Sequence, residues 1–120
     1  MKTHESAENY LETIFILNNR GNKVRSIDIV NELGLSKPSV SIAMKKLREK
    51  DYIAIDNSGH ITLTESGKKI AETMYERHLI ISDVLISIGV DKETAIYDAC
   101  KIEHCISEQT FLAIKNFTNK

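Results

Sequence analysis

The sequence predicts a mostly α-helical chain with one small β-hairpin. Three observations predict it. Apolar residues recur at helical spacing through most of the 120 residues. Two short β-like runs flank Asp56-Asn57-Ser58-Gly59, which supplies turn chemistry. Gly34 and Pro38 stand where one helix should stop and the next begin.

The first helix is expected over residues 6–19, with Ser6 as its cap and Tyr10, Ile14 and Leu17 as its apolar spacing. Asn18-Asn19-Arg20-Gly21-Asn22 breaks the chain. Ser26 is expected to cap a short second helix running through Glu32, and Gly34 stops it. Ser36 opens a third helix whose buried stripe is Val40, Met44 and Leu47, ending near Lys50-Asp51. Tyr52-Ile53-Ala54-Ile55 and His60-Ile61-Thr62-Leu63 form the hairpin. Thr64 caps a long helix to about Ile88, striped by Met74, His78, Ile81, Leu85 and Ile88, a pattern that packs against another helix. After Gly89, Asp91 caps a fifth helix to about Cys105, and Ser107 caps a sixth through Phe117.

Helix, short helix, tight turn, basic helix, hairpin is the order of a winged helix-turn-helix, here over residues 1–70. A helical domain follows over residues 71–120. The net charge of −1 is uneven. Residues 37–50 hold Lys37, Lys45, Lys46, Arg48 and Lys50 against Glu49, whereas residues 71–120 hold eight acids and five bases. One basic element on an acidic body points to a localised polyanion contact. The third helix would enter the major groove with Ser36, Lys37, Pro38, Ser39, Ser41 and Ile42 nearest the bases. Lys45 and Lys46 would serve phosphates, and the wing tip from Asn57 to His60 would lie near the backbone or minor groove. Hydroxyls and an apolar Ile42 suit phosphates and a thymine methyl, and no Arg or Asn sits there for a bidentate base contact, so direct base readout is expected to be modest.

No apolar run approaches the roughly 20 residues that span a bilayer. The start lacks the basic-then-apolar layout of a secretory signal. A cytoplasmic protein is expected, with no membrane partner. The two cysteines, Cys100 and Cys105, diverge on one helix, so reduced thiols are expected. No constellation for catalysis appears, and an enzyme is not expected.

Cys100, Glu103 and His104 stand at i, i+3 and i+4, which share a helix face. A sulfur, a carboxylate and an imidazole suit a late first-row divalent metal. By donor softness Fe(II), Co(II), Ni(II) and Zn(II) rank ahead of Mn(II), and cellular supply puts Fe(II) first. The alternative is a regulator that uses no metal and senses through the Cys100 thiol.

Glu8-Asn9-Tyr10-Leu11-Glu12, the Leu33-to-Ser41 segment, Leu63-Thr64-Glu65-Ser66-Gly67, Arg77-His78, Ile88-Gly89-Val90 and Cys100-Lys101-Ile102-Glu103-His104 occur in that order. Together they make the chain resemble the metal-dependent transcriptional repressors of the diphtheria toxin repressor and manganese transport regulator type. The resemblance implies a homodimer that binds operator DNA when metal-loaded, in a short form lacking the SH3-like third domain. It implies ligands at Asn9, Glu12, His78, Cys100, Glu103 and His104. Asn9 departs from the Asp or Met of better-known members. Cys100 follows the iron branch, where the manganese branch has Glu. Ser82 and Ile96 stand at two ancillary ligand positions of the iron branch. His4, His60 and Cys105 are expected to stay outside the metal site.

Overall fold

The computed structural model describes residues 7–118, and the proposed cap at Ser6 lies outside them. The elements are α1 (Ala7–Asn19), α2 (Ser26–Leu33), α3 (Lys37–Glu49), β1 (Ile53–Ile55), β2 (Ile61–Leu63), α4 (Glu65–Ser87), α5 (Lys92–Ile102) and α6 (Glu108–Thr118). A mostly helical chain with one antiparallel hairpin is what the periodicity predicts. One compact unit ends at Glu72 and a second begins at Thr73, so the division falls inside α4.

In the first unit, α1 packs against α2 and β2, and α3 packs against α2 and β1. Its core is Tyr10, Leu11, Ile14 and Leu17 from α1, Ile29 from α2, and Val40, Met44 and Leu47 from α3, closed by Ile53, Ile61 and Ala71. The α3 residues recur every three or four positions, which puts them on one stripe. The hairpin register pairs Ile53 with Leu63, Ala54 with Thr62 and Ile55 with Ile61. Val24 adds a bridge the pattern did not predict. Its carbonyl accepts the Ile61 N–H at 2.7 Å, and its side chain is buried.

Two local expectations change. Ser26 is the first helical residue of α2 and not its cap. Arg25 takes the cap position, and the Asp28 carboxylate accepts the Arg25 backbone N–H at 2.8 Å. A carboxylate in the first turn satisfies one orphan donor and opposes the positive pole of the helix. The long stripe of α4 is also uneven. Met74 and Ile81 are buried, whereas Ile88 is 71% exposed.

The caps on the other helices follow the sequence. Ser36 Oγ accepts the Ser39 N–H at 3.2 Å and Gly34 ends α2 in the left-handed region at φ 67. Thr64 ties the hairpin to α4. Its hydroxyl donates to the Asp51 carbonyl at 2.7 Å and accepts the Gly67 N–H at 3.2 Å. This draws Gly67 onto the backbone of Tyr52, where a Cβ would collide with the Tyr52 carbonyl oxygen.

Gly67→Ala should therefore destabilise the first unit by about 1–3 kcal/mol, as overpacking does. Urea unfolding checks this, and an unchanged midpoint would contradict the close approach.

Candidate metal centre and nucleic-acid interface

The second unit takes its buried hydrophobic residues from α4 (Met74, Ile81), α5 (Ala95, Ala99) and α6 (Phe111). Small alanines on α5 allow a close neighbour. The helix ends sooner than the i, i+3, i+4 reading implied, at Ile102 and not near Cys105. Glu103 keeps helical dihedrals at the cap, and its N–H still reaches the Ala99 carbonyl at 2.9 Å. His104 and Cys105 then bond three residues back, to Lys101 at 3.4 Å and Ile102 at 2.9 Å. The tightening has a cause. Ser107 caps α6 by accepting the Thr110 N–H at 3.1 Å, so the chain must turn within a few residues.

Glu103 is 0% exposed, and neither carboxylate oxygen has a hydrogen-bond partner among the described residues. His78 Nδ1 stands 3.4 Å from Glu103 Oε1, close but not aligned as a hydrogen bond. His104 offers a ring nitrogen within 4.8 Å of a Glu103 oxygen. Ser82 is buried, and its hydroxyl donates to the His78 carbonyl at 2.6 Å. A bare carboxylate with no donor, set at the negative pole of a helix, carries a large desolvation penalty. Imidazole nitrogen and carboxylate oxygen are the donors of a divalent transition metal. The residues therefore fit such an ion on their own chemistry.

Cys100 is half-buried, and among the described residues it does not join Glu103 and His104 within 4.8 Å. Cys105 is exposed, and Ile96 is exposed on α5. Asn9 and Glu12 lie buried on α1, in the first unit. His60 lies in the wing, and His4 lies outside the described residues.

Arg77 precedes His78 on α4. Its Nη1 donates to the Glu103 carbonyl at 3.1 Å and to the Ile106 carbonyl at 3.0 Å. Its guanidinium lies 5.3 Å over the Phe111 ring. A lone arginine carries no periodic signal, so spacing could not have found this role.

On α3 the candidate DNA contacts Ser36, Lys37, Pro38, Ser39, Ser41, Ile42, Lys45 and Lys46 are all exposed, with Ile42 at 57%. The opposite stripe fills the core. In the wing, the Asp56 carboxylate accepts N–H groups from His60 and Ser58, each at 2.9 Å. The His60 backbone N–H chiefly holds the Asp56 carboxyl below its ordinary value of 3.8. A lowered carboxyl contributes its bonds above that ordinary value and loses them as pH falls through the folded one. The wing tip is therefore tied at neutral pH. No helix among the described residues is long and apolar enough to cross a membrane.

Residues 2–61 match the family described as iron dependent repressor, N-terminal DNA binding domain. Residues 64–120 match its metal binding and dimerisation domain. The transcriptional regulator MntR of Escherichia coli O6:H1 is 34% identical over 116 residues, which is 97% of this chain and 75% of that protein. An uncharacterized HTH-type transcriptional regulator of Methanocaldococcus jannaschii is 30% identical over 118 residues, 97% of this chain and 94% of that protein. The solved manganese regulator SloR superposes with a TM-score of 0.85 at 27% identity, over 95% of this chain. The chain spans about half of that structure, 54% of its length.

Glu103→Gln should leave the metal-free chain as stable as wild type, or more stable by on the order of 1 kcal/mol, because it removes a buried carboxylate that accepts no hydrogen bond among the described residues. Added Co(II) should stabilise wild type and not the variant. Urea titrations with and without Co(II) measure both. A large loss in the metal-free variant would mean that the carboxylate is already satisfied.

Proposed function

We propose, from the premise that this chain belongs to the iron-dependent repressor family of transcriptional repressors, that it binds operator DNA as a homodimer when loaded with a divalent transition metal. The family is one of regulators and not of enzymes. The single observation that carries the reading is Glu103, a fully buried carboxylate whose oxygens have no hydrogen-bond partner, facing the imidazole of His78.

His78, Glu103 and His104 would hold the ion, with Cys100 as the soft donor beside them. Glu12 and Asn9 stay in the proposed donor set through the resemblance. When bound, the ion supplies the positive charge that the carboxylate lacks. The division of labour is residues 1–70 for DNA and residues 71–120 for metal and dimerisation. The exposed apolar side chains of the second unit, among them Ile88 and Phe117 lining one cleft, suit a second copy of the chain. In such a dimer the recognition helices would meet major grooves about 34 Å apart, or a multiple of that. Metal and DNA then affect each other through linkage, and a coupling of about 1–3 kcal/mol changes operator affinity roughly 5- to 150-fold. The output is repression of metal-homeostasis genes in the cytoplasm when metal is plentiful.

The ion turns on Cys100. A thiolate in the shell favours Fe(II), Co(II), Ni(II) and Zn(II) over Mn(II), and cellular supply puts Fe(II) first among them. A shell of imidazole and carboxylate alone admits Mn(II), the metal named for SloR.

Gel shifts on candidate operator DNA across Mn(II), Fe(II), Co(II) and Zn(II), with elemental analysis of the purified protein, test the reading. Wild type should bind more tightly with metal, and His104→Ala should lose that stimulation while remaining folded. Equal affinity of both proteins with and without every ion would refute it. Lys46→Ala should weaken binding to all sequences and reduce the log–log salt slope by about 0.9. An unchanged slope would remove α3 from the phosphate contacts.

A further inference from the structure

We infer that Arg77 is a positioning residue for the metal centre, acting through the backbone of the turn that presents Glu103 and His104. The inference rests on the proposed metal reading and adds a residue that is not itself a ligand. The turn from Glu103 to Ile106 lies beyond the last regular residue of α5, and its hydrogen bonds have shortened to three-residue spacing. Such a segment has few internal restraints. Two of its carbonyls, those of Glu103 and Ile106, converge on the single nitrogen Nη1 of Arg77, at 3.1 and 3.0 Å.

Arg77 is itself well fixed. Its guanidinium stacks over Phe111, a buried residue of α6. Its neighbour in sequence, His78, faces the Glu103 carboxylate at 3.4 Å. Consecutive residues of α4 thus take different parts of one target. Arg77 holds the main chain of Glu103, and His78 approaches its side chain. The charge suits the place. The carbonyls at the end of α5 and the carboxylate form a negative pole, and the guanidinium answers the main-chain part of it. The carboxylate oxygens, with no hydrogen-bond partner of their own, are left for a cation.

The bond pattern makes a specific demand. One nitrogen serves both carbonyls, so a lysine ammonium, reaching one bond less far, can restore part of the restraint. A methionine fills the stem and restores none of it.

Three proteins test this: wild type, Arg77→Lys and Arg77→Met. Co(II) affinity is read from its visible absorption, and amide exchange at Glu103 and Cys105 is read in the metal-free chains. Co(II) affinity should fall about 10- to 100-fold in Arg77→Met, the usual effect of losing a support behind a ligand. Arg77→Lys should lie between. Exchange at both amides should rise in the same order, with the thermal midpoint nearly kept by Arg77→Lys. If either folded variant binds Co(II) within twofold of wild type and exchanges no faster, Arg77 does not position the site. If wild type binds no Co(II), the metal reading fails, while the exchange order still decides whether Arg77 holds the turn.

Discussion

The proposed function depends on one buried carboxylate that accepts no hydrogen bond among the described residues. Glu103 is fully enclosed at the end of α5, and its carboxylate oxygens accept no hydrogen bond from the described residues. Taking a carboxylate out of water costs several kcal/mol even after relaxation. The negative end of the helix adds to that cost. A fold that keeps such a group must recover the energy in another state. The nearby imidazoles of His78 and His104 indicate that state, because neutral imidazole and carboxylate together attract a divalent cation. On the proposed reading this arrangement would make the protein a switch in the thermodynamic sense, since a cation bound there would also change stability.

The DNA-reading half obeys a simpler constraint. On the proposed reading a single helix, α3, fills the core on one side and would meet a polyanion on the other. Val40, Met44 and Leu47 are buried, while Lys45 and Lys46 emerge next to them. The short hairpin behind it is locked by Thr64, Asp51 and the close fit of Gly67 on Tyr52. The wing tip is tied by Asp56 to the main chain of Ser58 and His60. A two-stranded hairpin buries too little to hold itself, so packing of Ile53 and Ile61 into the helical core and these local hydrogen bonds together fix it.

Much of this was legible in the sequence. The order of elements, the cap at Ser36, the stop at Gly34 and the hairpin were readable because each depends on neighbours in the chain. What was not readable depends on distant partners. Val24 bridges to Ile61, and Asp28 caps through Arg25, with no periodic mark to announce either. The early end of α5 follows from the demands of α6 and Arg77, which the triad Cys100, Glu103 and His104 does not reveal. The same applies to the site. His78 and Glu103 do approach each other, while Cys100 stands outside the Glu103–His104 group. Spacing puts residues on a face, and only packing decides how near their tips come.

The most direct measurement is X-ray absorption at the metal edge of the Co(II)-loaded chain, compared with its Glu103→Gln variant. The account predicts a shell containing imidazole nitrogen and carboxylate oxygen, with that signature lost in the variant. A shell of water oxygens unchanged by the substitution would contradict it.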